Sequence, residues 1–151
     1  MDKTLDTVLL MLEGSTITLE IFCVTLALSL PLGLFAALGR LSRFRLLSRL
    51  LEIYIWIMRG TPLMLQLLFV YFALPMVGIL LPDIAAALLA FVLNYAAYFA
   101  EIFRSGIQAI PRGQFEAARA LGMSAPLTMR RIVLPQVLRI TLPPVSNETI
   151  N

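Results

Sequence analysis

Long runs of apolar residues dominate the pattern of hydrophobic and polar positions in this chain. The first run extends from about Thr16 to Leu38, the second from Pro62 to about Leu81, and the third from about Ile84 to Phe103. Each has about 20 residues, which an α-helix rising 1.5 Å per residue needs to cross a hydrocarbon core of roughly 30 Å. The pattern predicts three membrane-spanning helices, and a fourth apolar segment begins near Ile132.

Prolines interrupt this pattern at positions that decide where helices begin and end. Thr61 is expected to cap the second span, and Pro62 suits its first turn. Pro75 is expected to end or kink that span. The preceding stretch, Leu46–Met58, has two interpretations: it lies in the membrane interface, or it begins the second span. The final segment is expected to be broken by Pro135, Pro143 and Pro144.

Composition supports a membrane protein and argues against other classes. Hydrophobic residues make up 60% of the 151 residues, against about 45–50% in a soluble domain. The net charge is +3, but the arginines flank apolar runs and form no basic patch with aromatic residues, so no nucleic-acid partner is predicted. There is no His, and the single cysteine, Cys23, is expected to be a small buried thiol. No catalytic residue and no metal site are predicted.

The distribution of arginine predicts the orientation of the spans. The stretch Arg40–Arg59 contains five arginines and Arg104–Arg139 contains six, whereas Pro75–Asp83 has neither Lys nor Arg. Cytoplasmic loops carry the excess of Lys and Arg. We therefore expect both arginine-rich stretches inside, with Pro75–Asp83 and the N-terminus outside. The N-terminus lacks the positive region of a cleaved signal peptide, so the first run is expected to stay as an anchor.

The mixed segment after the third span predicts two short cytoplasmic helices joined by a tight turn. Pro111 and Gly113 break the preceding helix, and Gln114–Leu121 is rich in helix formers. Gly122 suits a helix C-terminal position that needs positive φ. Ser124 can cap the second short helix.

Small side chains characterise the first of these two helices. Ala117 and Ala118 are expected to leave a face that another protein can approach closely. Glu116 is expected in the first turn, where the helix dipole favours a carboxylate. From the residues alone, an ordinary helical hairpin in which Glu116 stabilises its own helix is an equally good interpretation.

A gapped motif in this segment resembles the EAA motif of ABC-importer permeases. It reads Glu116-Ala117-Ala118, three residues, Gly122, nine residues, Ile132, one residue, and Leu134-Pro135. Three further stretches are similar to the polar amino-acid (histidine/glutamine-type) permease subfamily: Arg59–Leu63, Ala100–Ile107 and Leu142–Glu148. Ser105 is a mild departure, because such permeases often have glycine there.

This resemblance implies a fold and a role. The fold is an all-α membrane protein, a bundle of about four transmembrane helices with a cytoplasmic coupling helix, lacking the last helix of the family fold, in one domain of residues 1–151. The role is that of a permease subunit, not an enzyme, of an ATP-driven, binding-protein-dependent importer of polar amino acids in the bacterial inner membrane. Substrate would be translocated by alternating access.

The implied partners are a cytoplasmic ABC ATPase dimer, a second permease subunit, identical or different, and an extracytoplasmic substrate-binding protein. The chain has no GxxxxGK[ST] phosphate loop. We therefore expect ATP on the partner ATPase and no cofactor bound by this chain. The resemblance places the ATPase-coupling segment at about residues 110–131, with these residues in contact: Glu116, Ala117, Ala118, Arg119, Gly122 and Met123.

Polar groups within spans supply the substrate-contact candidates, because such groups are costly in lipid and usually face protein or a cavity. Asn94, Tyr98 and Glu101 fall on one helical face. For Asn94 and Tyr98, hydrogen bonding between helices is an equally good interpretation. Glu101 is expected to pair with Arg104 or Arg59. The complete set of candidates is Thr61, Gln66, Asn94, Tyr98 and Glu148.

Two other functions stay open at this point. A truncated assembly subunit would dock an ATPase without translocating substrate. A permease of another ABC importer class would share the EAA pattern. A membrane-embedded enzyme is disfavoured, because the chain has no His, no Cys pair and no intramembrane Asp. Glu148 has its own alternative, which is pairing with a neighbouring helix.

Overall fold

The computed structural model describes residues 3–150 and places them in six helices, with no strand among them. The helices are α1 (Lys3–Arg40), α2 (Arg45–Gly60), α3 (Leu63–Met76), α4 (Asp83–Gln108), α5 (Arg112–Ala120) and α6 (residues 125–150). The predicted all-α class is confirmed. The predicted external end, Met1-Asp2, and the last residue, Asn151, lie outside the described residues.

Two of the described helices are long and apolar enough to cross a membrane by themselves: α1, over Thr7–Arg40, and α4. The first run was expected to start at Thr16, but α1 begins at Lys3 and continues through Pro31. Helix α4 starts one residue before the predicted Ile84 and extends past Phe103 to Gln108. Both are therefore longer than the apolar runs that predicted them.

Helices α1 and α4 form the central pair of the bundle, and small residues line their contact. A Cβ atom at Gly33 would lie 2.7 Å from the Cβ of Phe99 and 3.0 Å from the carbonyl oxygen of Ala96. Ala37 and Ala97 are fully buried. Helices in lipid associate mainly through close packing, for which small residues let the backbones approach. Gly33 therefore sets the spacing of this pair.

Helices α2 and α3 are joined by a bend of 107° and satisfy the criteria for a span only when taken together. Ile55 of α2 packs against Ala36, Ala97 and Ala100, and the end of α3 borders a cavity shared with Asp83 at the start of α4. The pair thus advances along α4 towards its N-terminal end. This path favours the interpretation in which Leu46–Met58 begins a broken second span.

The bend differs from the predicted helix start. Thr61 is the C-terminal cap of α2 and does not cap α3, because Pro62 occupies the N-cap position and makes no side-chain cap. The second span also ends earlier than the predicted Leu81. Helix α3 stops at Met76, and Gly78 follows with a φ of 86°, a left-handed conformation that favours glycine.

Two π-helical segments precede prolines with the same spacing. Phe69–Ala73 lies two residues before Pro75, and Met129–Val133 lies two residues before Pro135. Proline lacks an N–H donor, and its ring clashes with the carbonyl four residues earlier. The wider π turn makes room for the ring. The expected breaks in the last segment are therefore wrong: α6 continues past Pro135 and runs through Pro143 and Pro144.

The C-terminal end of α4 holds α5 and α6 in place. Ile107 and Ile110 pack with Val133 and Val137 of α6, and Phe115 of α5 covers this cluster.

The prediction of a buried thiol is wrong, because Cys23 lies on the exposed side of α1.

Candidate functional site

Polar side chains meet where α2 bends into α3, opposite the middle of α4. Asn94 is 4% exposed, and its Nδ2 donates hydrogen bonds to the carbonyl of Met58 and to Oε1 of Gln66, both at 3.0 Å. Gln66 Nε2 donates to Oγ1 of Thr61 at 2.7 Å and to the carbonyl of Met58 at 2.9 Å. The bend thus brings together three of the five predicted substrate-contact residues, which we call the amide cluster with Met58: Thr61, Gln66 and Asn94.

The need for this cluster arises from the backbone. Residue 62, four positions after Met58, is a proline and has no N–H to bond the Met58 carbonyl. A backbone carbonyl without a partner is costly inside a membrane. The amides of Gln66 and Asn94 replace the missing donor. In this structure Asn94 therefore follows the helix–helix alternative, while its role in substrate contact stays a prediction.

Tyr98 lies one turn further along α4 and makes a different contact. The Cζ atom of Arg59 lies 5.3 Å from the centre of the Tyr98 ring, an attractive cation–π geometry. Among the described residues, no hydrogen bond joins Tyr98 to the amide cluster. A tyrosine that the sequence did not single out, Tyr54, donates to the carbonyl of Leu93 at 2.6 Å. It fixes α2 beside the amide cluster.

A network of ion pairs ties α1, α2 and α4 together at what we call the arginine-rich end of the bundle. Arg104 donates to both carboxylate oxygens of Glu101, at 2.9 Å and 2.5 Å. Arg40 lies 2.9 Å from a carboxylate oxygen of Glu52 and 3.8 Å from one of Glu101. The predicted pairing of Glu101 with Arg104 is confirmed. Arg40 and Glu101 line a cleft of about 540 Å³ that α2 closes with Glu52, Trp56 and Arg59.

Glu148 lies apart from the amide cluster, near the end of α6. Its side chain is half-buried, and among residues 3–150 it has no hydrogen-bond or ion-pair partner. The neighbouring Thr149 lines a mostly apolar cavity of about 200 Å³ between α1, α4 and α6. The pairing of Glu148 with a neighbouring helix is therefore not formed within the described part of the chain.

The segment with the EAA-like motif forms a helix that ends in a Schellman turn. The Gly122 N–H bonds the carbonyl of Arg119 at 2.9 Å, and the Met123 N–H bonds that of Ala118 at 3.0 Å. The φ of Gly122 is 72°, which confirms the predicted positive φ. Ser124 occupies the N-cap position of the next helix, but its side chain makes no capping hydrogen bond. The expected Ser124 cap is thus present in position only.

Two details of this helix differ from expectation. Helix α5 begins at Arg112 instead of Gln114, so Glu116 lies in the second turn, away from the positive end of the dipole. Ala118 is 1% exposed and faces the chain's own core. The accessible small residues are therefore Ala117 and Ala120, flanked by Glu116 and Arg119.

Some contributors to the site were missed at the level of sequence. The Met58 carbonyl lacks a backbone donor, and this could have been predicted from the sequence, because a proline lies four residues after Met58. The pairing of Arg40 with Glu52 and Glu101 had no local signal, since these residues are far apart in sequence. The hydroxyls of Thr25 and Ser29 are buried and have no hydrogen-bond partner among residues 3–150. They lie four residues apart on α1, and that spacing is the only sequence feature that points to them.

Comparisons with known proteins give the site its context. Residues 29–151 match the family model described as "Binding-protein-dependent transport system inner membrane component". The chain is 45% identical over 136 residues to the probable amino-acid ABC transporter permease protein YckA of Bacillus subtilis (strain 168), covering 90% of this chain and 60% of YckA. It is 42% identical over 148 residues to the arginine transport system permease protein ArtQ of the same organism, covering 97% of this chain and 68% of ArtQ.

Solved structures agree with these relatives. The crystal structure of an amino acid ABC transporter with histidines superposes with a TM-score of 0.80 at 37% identity, over 94% of this chain and 70% of that one. A structure of the MetNI methionine ABC transporter gives a TM-score of 0.69 at 22% identity, over 99% of this chain and 72% of that one, and so shows a shared fold. The chain spans 60% of the length of YckA, so most but not all of such a protein has a counterpart here.

Proposed function

The chain belongs to the family of binding-protein-dependent transport system inner membrane components, and from that premise we propose that it is the permease subunit of an ATP-driven importer of polar amino acids. A relative named for arginine transport supports this substrate class. In this proposal the bacterial inner membrane holds the chain, with the N-terminus outside and the arginine-rich end in the cytoplasm. The density of arginine supports that orientation.

One observation carries the proposal: the bend between α2 and α3, with polar groups gathered at the middle of α4. Transporters build substrate sites from broken helices whose backbone groups are freed at the break. Here the Met58 carbonyl can accept a hydrogen bond from a substrate ammonium, and the amides of Gln66 and Asn94 can donate to a carboxylate. In the structure these groups bond one another.

This arrangement supports two alternating states. In one, the amides of Gln66 and Asn94 hold the Met58 carbonyl and fix the bend. In the other, an amino acid replaces these bonds, and α3 is released to tilt against α4. A ligand biases such an equilibrium by its different affinity for the two states. Thr61 and Tyr98 flank the bend and would adjust the fit of the substrate.

Glu148 supplies a further substrate contact in the proposal. A half-buried carboxylate without a partner within the described chain is costly in a membrane unless it meets a cation. A substrate with a positively charged side chain would provide that cation. Its place on α6, outside the amide cluster, suits recognition of the substrate side chain.

The exposed side of α5 is the proposed contact with the ATPase. Glu116, Ala117 and Arg119 face away from the bundle, and the Schellman turn at Gly122 and Met123 fixes the direction in which the helix points. Buried Ala118 and half-buried Phe115 anchor α5 to α4 and α6. Movement of a docked ATPase dimer would thus reach the spans through these two side chains, with ATP held by the partner.

Reconstitution tests the proposal. The chain is combined in proteoliposomes with its ATPase, a second permease subunit and the binding protein, and ATP hydrolysis is measured across a panel of amino acids. Stimulation by one or a few polar amino acids is expected, together with their uptake. The proposal is overturned if the complex forms but no amino acid stimulates hydrolysis. The variant Asn94→Leu should lose stimulation, while Leu9→Ala, at an exposed position of α1, serves as the control.

A further inference from the structure

The cleft at the arginine-rich end has a charged wall that the amide cluster does not use. Glu52, Trp56 and Arg59 follow one another at i, i+4 and i+7, so they share one face of α2. All three border the cleft of about 540 Å³, whose opposite side carries Arg40 and Glu101. The cleft therefore presents charges of both signs around an exposed indole ring.

The charged side chains around the cleft differ in how many ion-pair partners they have. Glu101 accepts two hydrogen bonds from Arg104 and lies 3.8 Å from Arg40, so its charge is already balanced by two arginines. One carboxylate oxygen of Glu52 pairs with Arg40. The Glu52 side chain is 55% exposed, so its second oxygen is accessible. Arg59 takes part in no ion pair with any described residue, and it rests over the ring of Tyr98.

Glu52 and Arg59 offer opposite charges two turns apart on one face of α2. Seven residues separate Glu52 from Arg59, which is about 10 Å along a helix. An α-amino acid carries its ammonium and carboxylate groups a short distance apart, and two long side chains on one helix face can converge on it with one charge-assisted hydrogen bond each. Trp56 lies between the two charges on the same face, where its ring can cover the α-carbon.

We propose that this cleft is a second amino-acid site, in which Arg59 binds the α-carboxylate and Glu52 the α-ammonium group. Arg59 directly follows Met58, and Tyr98 lies one turn from Asn94. The cleft thus adjoins the amide cluster on the side of the arginine-rich end. Because its wall is widely exposed, with Trp56 at 76%, it binds more weakly than an enclosed site and suits release of the substrate. The direction of release rests on the proposed import function.

The chain contains its own reporter for this site, since Trp56 is its only tryptophan. The 151-residue chain in nanodiscs is titrated with L-glutamine and L-arginine into the millimolar range while Trp56 emission is recorded. Saturable changes are expected with both amino acids. The corresponding amine, which lacks the α-carboxylate, and the corresponding carboxylic acid, which lacks the α-ammonium group, should each bind at least several-fold more weakly.

Arg59→Gln removes the positive charge but keeps a side-chain N–H donor, and should weaken amino-acid binding about tenfold. The matched control is Arg49→Gln, which removes an exposed arginine of the same helix outside the cleft and should leave binding unchanged. Equal titrations of Arg59→Gln and the unaltered chain would overturn the site, as would the absence of any saturable change.

The two proposals fail separately. Uptake in proteoliposomes without binding at Trp56 would eliminate the cleft site and leave the importer function intact. Saturable binding at Trp56 without uptake of any amino acid would contradict the importer function and retain the site as an amino-acid site.

Discussion

The side-chain amide of Asn94 donates a hydrogen bond of 3.0 Å to the amide oxygen of Gln66, and this bond ties the centre of α4 to the start of α3. Both amides also bond the Met58 carbonyl. The three groups therefore form one unit, in which removal of either side chain leaves the other incompletely bonded.

This unit predicts coupling between Asn94 and Gln66. Asn94→Ala and Gln66→Ala should each lower the free energy of unfolding by about 1–2 kcal/mol, because each removes donors to the Met58 carbonyl. The double variant should lose less than the sum, with a coupling of about 0.5–1.5 kcal/mol. Unfolding in a detergent titration measures all three. Strict additivity would show that the two amides do not interact.

Gly33 predicts a steric limit on the central helix pair. Gly33→Ala should destabilise the protein by about 1–3 kcal/mol, because the added methyl group meets Phe99 and the Ala96 backbone. Gly14→Ala is the matched control: Gly14 also lies within α1 but has open space around it, so its replacement should be neutral or slightly stabilising. Equal thermal stability of the two variants would contradict the proposed role of Gly33.

Gly122 predicts a conformational requirement at the Schellman turn. Gly122→Ala should cost about 1–2 kcal/mol at this turn, because its φ of 72° is unfavourable for a residue with a Cβ. Gly113→Ala, within α5 and equally open, should be neutral or stabilising. In the assembled complex, only Gly122→Ala should reduce substrate-stimulated ATP hydrolysis. A reduction of the same size for Gly113→Ala would argue against a specific role for the turn.

Glu148 predicts a difference between substrates. Glu148→Gln should reduce uptake of arginine about tenfold and uptake of glutamine much less, because only the cationic side chain loses an ionic partner. Uptake of the two radiolabelled amino acids by the same proteoliposomes measures the ratio. Glu13→Gln, on the exposed N-terminal part of α1, should leave that ratio unchanged. An equal loss for both substrates would assign Glu148 a structural role.

The sequence predicted what depends on local pattern. The apolar runs located α1 and α4, because length and hydropathy are properties of a continuous segment. The positive φ of Gly122 and the bond between Glu101 and Arg104 were also predictable, since each depends on residues within one or two turns. Cap geometry was less predictable: Ser124 and Thr61 occupy helix ends, but neighbouring backbone geometry determines which groups their side chains bond.

The pattern of hydrophobic and polar residues did not predict the contacts between helices. Nothing in the spacing of Asn94 and Gln66 shows that their helices meet, because the contact depends on the bend of 107° between α2 and α3. The burial of Ala118 depends in the same way on the packing of α5 against α4 and α6. The prolines of α6 were predicted to break the last segment, but the helix continues through them. A π turn and the neighbouring helices accommodate a residue that would otherwise end the helix.

The length of α1 has a consequence for the surroundings of the protein. Its apolar part, Thr7–Arg40, has 34 residues and extends about 50 Å, whereas a typical hydrocarbon core is about 30 Å thick. The tilt of up to about 40° seen in membrane helices absorbs only part of this mismatch. The N-terminal turns of α1, including the exposed Leu10 and Met11, therefore reach beyond the acyl chains. These turns must either thicken the local bilayer or be covered by another molecule outside it.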